Sequence, residues 1–138
     1  RIEILGTDIS EKVLKVAHAG RYGHYAVRSM NPMVLQRYFT QHGNEYQLDP
    51  SVMSMVRFEK LNLKDTLSAK RFGKFDVIFC RNVLIYFDDA MRTSCAKLYH
   101  DQLESDGALF IGHSETLRNI DVGFTPLSIP QAFAYRKR

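Results

Sequence analysis

The stretch Phe75-Asp76-Val77-Ile78-Phe79-Cys80-Arg81-Asn82-Val83-Leu84-Ile85-Tyr86-Phe87-Asp88 decides how this chain is read. Its first part is short, apolar and almost unbroken, the pattern of a strand covered on both faces. Arg81 and Asn82 interrupt it with two large polar side chains, a second apolar burst follows, and Asp88 can cap a helix. In open α/β sheets, ligands bind just outside the carboxyl ends of the strands. The stretch therefore reads as a central strand that delivers Arg81 and Asn82 to a cofactor cleft.

Upstream of it, residues 56–61 read as a second sheet strand that ends at Asn62-Leu63, and a short helix over 66–71 leads to Gly73. Downstream, Asp88-Asp89 opens a helix in which Met91, Cys95, Leu98, Tyr99 and Leu103 keep helical spacing. Ser105-Asp106-Gly107 then turns the chain into a strand over 108–111, which ends at Gly112-His113-Ser114-Glu115. Segments 124–129 and 132–136, split by Pro130, make a closing hairpin.

At the start of the chain, residues 2–7 read as a buried strand ending in Asp8, Ser10 caps a helix over 11–19, and Gly20 ends it. Asn31-Pro32 is a cap followed by a first-turn proline, with Met33, Leu35, Tyr38 and Phe39 as core. His42-Gly43-Asn44 is a turn, and Asp49-Pro50-Ser51 is a turn signal flanked by residues 45–48 and 53–59. Residues 45–59 are thus expected to form a small antiparallel hairpin subdomain inserted into one domain that spans 1–138. The strand–helix alternation with a terminal hairpin predicts an α/β fold, a mostly parallel sheet with an antiparallel strand at its end.

Composition excludes several classes. Of 138 residues, 45% are hydrophobic and 25% charged, a globular balance. The net charge of +4 suits an acidic partner, but no Lys/Arg run is long enough for a nucleic-acid arm. No window is apolar enough for membrane insertion. Cys80 and Cys95 read as buried free thiols of a reducing compartment. The histidines show no metal-ligand spacing.

Three stretches, Thr7-Asp8-Ile9, the run from Phe79 to Asp88, and Gly112-His113-Ser114-Glu115, together resemble the CheR-type chemotaxis receptor methyltransferases. The resemblance covers essentially the whole chain, and its most specific part is Arg81-Asn82-Val83-Leu84-Ile85-Tyr86-Phe87. It implies a Rossmann-like methyltransferase sheet and transfer of a methyl group from S-adenosylmethionine to glutamate side chains of chemoreceptors, leaving S-adenosylhomocysteine. It implies further that Asp8 holds the ribose, Asn62 and Leu63 line the adenine region, and Asn82 and Val83 lie near the methionine part. Tyr86 would border the site of methyl transfer. Arg81 would pair either with a substrate carboxylate or with a neighbouring acid. The protein would be cytoplasmic and bacterial, and its partner the cytoplasmic domain of a chemoreceptor. The inserted hairpin matches a subdomain that in some members of the family docks the receptor's carboxyl-terminal tail.

Residue by residue, alternatives remain at this stage. Asp8 also suits a solvated turn, Tyr86 a core ring, and His113 with Glu115 either a mutually oriented pair near the cleft or a loop cap. A methyltransferase-like module that binds a receptor tail without turnover is the alternative function. The family pattern also has a first strand and a Gly-rich turn that this chain does not show before Arg1. The chain by itself is therefore expected to match the carboxyl-terminal part of the catalytic domain, to be inactive, and to self-associate through an exposed sheet edge.

Overall fold

A computed structural model describes residues 1–138, which form two compact units, Arg1–Asn62 and Leu63–Arg138. The architecture is mixed α/β, with parallel and antiparallel ladders.

In the first unit, strand β1 (Ile4–Asp8) leads into helix α1 (Glu11–Ala19). The helix starts where it does because the Ser10 side chain accepts the Val13 N–H, and it stops because Gly20 takes a left-handed conformation at φ 63°. An antiparallel insertion follows: β2 (Arg21–Gly23), α2 (His24–Val27), α3 (Pro32–Tyr38), β3 (Phe39–His42) and β4 (Glu45–Leu48). Its strands lie in the order β2-β4-β3. The chain then forms α4 (Pro50–Met53) and β5 (Val56–Lys60), and β5 returns to pair in parallel with β1, Ile4 opposite Val56 and Asp8 opposite Lys60.

This corrects the expected hairpin over 45–59. β4 pairs with β3 across the Gly43 turn and with β2, whereas the residues from Val56 onward belong to the parallel ladder with β1. Asp49-Pro50 starts a helix rather than a hairpin turn: the Asp49 carboxylate accepts the Ser51 N–H at 2.7 Å, and proline occupies the first turn. The Ser51 hydroxyl also donates to this carboxylate, and it and then the Ser51 N–H hold the Asp49 carboxyl below its usual range. None of the four residues expected as core here is buried: Met33 is 79% exposed, and Leu35, Tyr38 and Phe39 are half-buried, since α3 and β3 belong to a small insertion with no buried side chain on α3.

The second unit begins with α5 (Thr66–Lys70), capped by Asp65, and β6 (Phe75–Cys80). A single 3-10 turn, Leu84–Tyr86, precedes α6 (Asp89–Gln102), which is capped by the Asp88 carboxylate accepting the Met91 N–H at 2.8 Å. Strands β7 (Leu103–Ile111), β8 (Phe124–Leu127) and β9 (Phe133–Lys137) complete a sheet in the order β6-β7-β9-β8. β6 and β7 are parallel; β9 runs antiparallel to both its neighbours. β7 begins earlier than expected because Leu103 already pairs with Phe75, and a register irregularity absorbs the turn around Asp106, whose φ is 63°.

The core of this unit lies between one face of the sheet and α6. Leu103, Leu109, Ile111, Cys95, Leu98 and Tyr99 are buried there, and the amide of Gln102 donates to the Ala69 carbonyl at 2.6 Å. The expectation that β6 is covered on both faces is not met. Its Cys80 points into the core, whereas Val77 and Phe79 are 45% and 69% exposed. β6 is the edge strand of its sheet, so the apolar run reflects one covered face and one open face. On that open face Phe79 stacks on Phe110, ring centroids 4.9 Å apart.

Candidate functional site

The carboxyl ends of the parallel strands carry the polar residues in both units. In the first unit, β1 ends at Asp8 and β5 runs directly into Leu61 and Asn62. The two ends are tied together: the Leu61 N–H donates to the Asp8 carbonyl at 3.0 Å. Asp8 and Asn62 are thereby brought onto one rim. The Asp8 carboxylate accepts the Ser10 N–H at 2.8 Å, which orients it at the start of α1. A carboxylate has room for further donors beyond that one. Beside it, Lys60 pairs with Glu11 at 2.9 Å and holds the Glu11 carboxyl below its usual range.

In the second unit, β6 delivers Arg81, Asn82 and Val83, and the parallel partner β7 ends beside them at Ile111 and Gly112. Asn82 is left-handed, at φ 60°. Asparagine tolerates that conformation far better than most residues. The peptide groups of the loop are held by one side chain. The Glu115 carboxylate accepts N–H groups from Asn82 at 3.1 Å, Val83 at 3.0 Å, Ile85 at 3.3 Å and Gly112 at 2.6 Å. Glu115 is buried, whereas His113 is exposed, so the two do not orient one another; Glu115 is satisfied by the β6 loop instead. Leu84 is buried and anchors the 3-10 turn, leaving Tyr86 80% exposed at its end. Tyr86 is therefore not a core ring. Arg81 is exposed.

Behind Arg81, burial pushes the Cys80 thiol up to about 11; the hydrogen bond from the Tyr99 hydroxyl at 3.0 Å opposes this and the Glu115 charge adds to it. Burial raises Cys95 and Tyr99 as well. These groups stay protonated at neutral pH, which suits a packed support and not a nucleophile. A hollow of about 480 Å³ lies elsewhere in this unit, against Arg118, Phe124, Tyr135 and Arg138, and none of the candidate residues lines it.

Parallel strands with polar residues beyond their carboxyl ends, present in each unit, are the arrangement of Rossmann-like ligand-binding folds. The solved structure of magnesium protoporphyrin IX methyltransferase from Synechocystis PCC 6803 shares this fold, with a TM-score of 0.54 and 18% identity over 99% of this chain and 60% of that one. The chain belongs to the CheR methyltransferase family, whose SAM binding domain matches residues 1–133. It is 35% identical to chemotaxis protein methyltransferase 2 of Vibrio cholerae, over 99% of this chain and 48% of that protein. It is 37% identical to chemotaxis protein methyltransferase 1 of Pseudomonas aeruginosa, over 99% and 50%. The chain thus spans about half the length of these relatives.

S-adenosylmethionine is the cofactor of this domain family. Taken separately, each unit carries chemistry compatible with it: the Asp8 carboxylate at the end of β1 has acceptor capacity beyond the Ser10 N–H, as a diol needs, and the Asn82 side chain is exposed just past the end of β6. The tie that Glu115 makes to the β6 loop is what the sequence left open. A lone glutamate after Gly112-His113-Ser114 looks like any loop cap, because three of its four partners lie 30 to 33 positions away.

Proposed function

We propose that the whole protein transfers the methyl group of S-adenosylmethionine to glutamate side chains on the cytoplasmic domain of chemoreceptors. The observation that supports this reading most is the ordered loop after β6, in which Asn82 and Val83 are fixed and Tyr86 is left exposed. Asp8 is assigned to the ribose, Asn62 and Leu63 to the adenine region, Asn82 and Val83 to the methionine part, and Tyr86 and Arg81 to the place where substrate meets the methyl group. The cofactor supplies an electrophilic methyl on a sulfonium. A glutamate carboxylate, with an ordinary pKa of ~4.3, is ionised at neutral pH and needs no general base. One carboxylate oxygen forms the new O–C bond, the C–S bond breaks with its electron pair on sulfur, and no proton moves. What remains for the protein is alignment and exclusion of water, and alignment of this kind supplies roughly 7–11 kcal/mol in favourable cases. Tyr86 is assigned the role of a wall and hydroxyl donor in this, and Arg81 that of a cationic partner for the substrate carboxylate, a reading supported by the exposure of both side chains.

The test uses the whole protein, methyl-labelled S-adenosylmethionine and the cytoplasmic domain of a receptor. Label should enter the receptor as a base-labile ester that releases methanol. Cofactor binding with no base-labile label on any receptor would refute the reading. No helix is long and apolar enough to cross a membrane, and a cytoplasmic place of action follows from the proposed substrate.

The insertion is proposed to dock the receptor tail. Its ends meet, since the Leu48 N–H donates to the Gly20 carbonyl at 2.8 Å, so residues 21–48 can be replaced by a short Gly/Ser link. Receptor affinity should then fall at least about tenfold while cofactor affinity stays within about twofold. Equal loss of both in calorimetric titrations would make the insertion structural.

A second expectation concerns the 138-residue chain alone. β6 is an edge strand with Val77 and Phe79 exposed, and β1, in a two-stranded ladder, exposes Ile4. Unpaired edges with apolar faces recruit other strands. Light scattering should show concentration-dependent association; a stable monomer across the concentration range would count against it.

A further inference from the structure

We propose that Glu115 is a positioning residue for cofactor binding: it sets the Asn82–Val83 peptides in the conformation that receives the cofactor. This rests on the cofactor roles assigned to those residues above. Glu115 is 5% exposed and sits on the loop beyond β7, yet three of its four partners lie beyond β6. One oxygen, Oε2, takes the N–H groups of Gly112 and Asn82; the other, Oε1, takes those of Val83 and Ile85. The carboxylate therefore ties the ends of two adjacent parallel strands together.

The need for it follows from the backbone. Asn82 turns the chain into the left-handed region, which ends its pairing with β7 at the Cys80–Ile111 step. The N–H groups of Asn82, Val83 and Ile85 are then left without strand partners in a part-buried loop, and a backbone N–H drawn away from water needs an acceptor. One carboxylate does this for all three. Hydrogen bonds of N–H groups to an ionised acceptor are shorter and stronger than neutral ones. The loop is thus ordered by a residue that is not itself assigned any contact with cofactor.

The pattern also explains why a glutamate stands there. Glutamine would present one acceptor oxygen and one NH2 group. Whichever way it faces, the NH2 meets a pair of backbone donors, either Asn82 with Gly112 or Val83 with Ile85. Two of the four N–H groups lose their acceptor, although volume and shape are almost unchanged.

The test compares Glu115→Gln with the unaltered whole protein. S-adenosylhomocysteine affinity should drop about tenfold, which is about 1.4 kcal/mol. KM for S-adenosylmethionine should rise while KM for receptor stays unchanged, a split that general loosening of the fold would not produce. If the variant folds poorly, amide hydrogen exchange of the unaltered protein decides. The N–H groups of Asn82, Val83, Ile85 and Gly112 should be protected before any cofactor is added. Fast exchange there that slows only on adding S-adenosylhomocysteine would overturn the proposal, as would an unchanged affinity in a folded Glu115→Gln protein. The two readings separate cleanly. Failure of the unaltered protein to methylate receptor, with cofactor still bound, refutes the proposed function and leaves the Glu115 titration meaningful. Normal methylation with wild-type affinity in Glu115→Gln refutes only this proposal.

Discussion

Asn82→Ala in the whole protein is expected to weaken S-adenosylmethionine binding by about 1–3 kcal/mol, the cost of stranding a cofactor polar group once the bound cofactor has displaced water from the side chain. That corresponds to roughly a five- to 150-fold rise in Kd. Two effects contribute, and they can be separated. Asn82 is held at φ 60°, where a residue with a Cβ other than asparagine or aspartate is disfavoured by roughly 1–2 kcal/mol. Its side-chain amide is also packed on the rim against Gly112. Asn82→Gly removes the amide but relieves the backbone, so it isolates the side-chain contribution. The expected order of affinity is Asn, then Gly, then Ala, with Val weakest because a β-branched residue fits the left-handed region worst. Calorimetric titration of the four proteins reads the order directly. Glycine equal to asparagine would mean that the amide does not touch the cofactor and that only the turn matters. Alanine equal to asparagine would remove Asn82 from the site altogether.

The same residues show what a sequence can convey and what it cannot. The limits of α1 and the starts of α5 and α6 follow from local chemistry: a serine or aspartate side chain accepting an N–H within the first turn, and a glycine at positive φ at the end. β6 was legible for a similar reason, as its apolar run is bounded by Gly73 and Arg81. Failures occur where the deciding partner is distant. β5 pairs with β1, some fifty positions away, and nothing in residues 53–59 distinguishes that from pairing with β4 next door. Asp49-Pro50 is ambiguous in itself, because an aspartate that accepts the N–H two residues on serves equally to open a turn or a helix. The exposure of Phe79 is invisible to composition, since an edge strand with one open apolar face and a buried central strand can have the same residues. Glu115 combines both difficulties. It is a charged residue in a polar tetrapeptide, and only the folded chain brings the β6 loop over it.

Gly112→Ala is expected to lower both the stability of the protein, by about 1–3 kcal/mol as for other overpacked sites, and its affinity for S-adenosylmethionine. Space, rather than backbone conformation, is the reason. A Cβ at Gly112 would stand 2.5 Å from the side-chain oxygen of Asn82, 2.9 Å from Oε2 of Glu115 and 3.0 Å from the backbone nitrogen of Asn82. The first neighbour could swing aside. The other two cannot do so alone, because Oε2 already accepts the Gly112 N–H at 2.6 Å and the Asn82 N–H at 3.1 Å. Relief requires either breaking those hydrogen bonds or shifting the Asn82 peptide, and both disturb the residues assigned to the cofactor. Gly43→Ala provides the contrast. Gly43 sits at φ 60° in the turn between β3 and β4 with nothing within 4 Å of an added Cβ, so alanine there brings only backbone strain of roughly 1–2 kcal/mol. It should lower the unfolding midpoint without altering cofactor affinity. Urea unfolding paired with calorimetric titration distinguishes the two positions. If Gly112→Ala binds cofactor as tightly as the unaltered protein while losing stability, then the junction of β6 and β7 is a packing feature, and the cofactor contacts must be sought elsewhere on the chain.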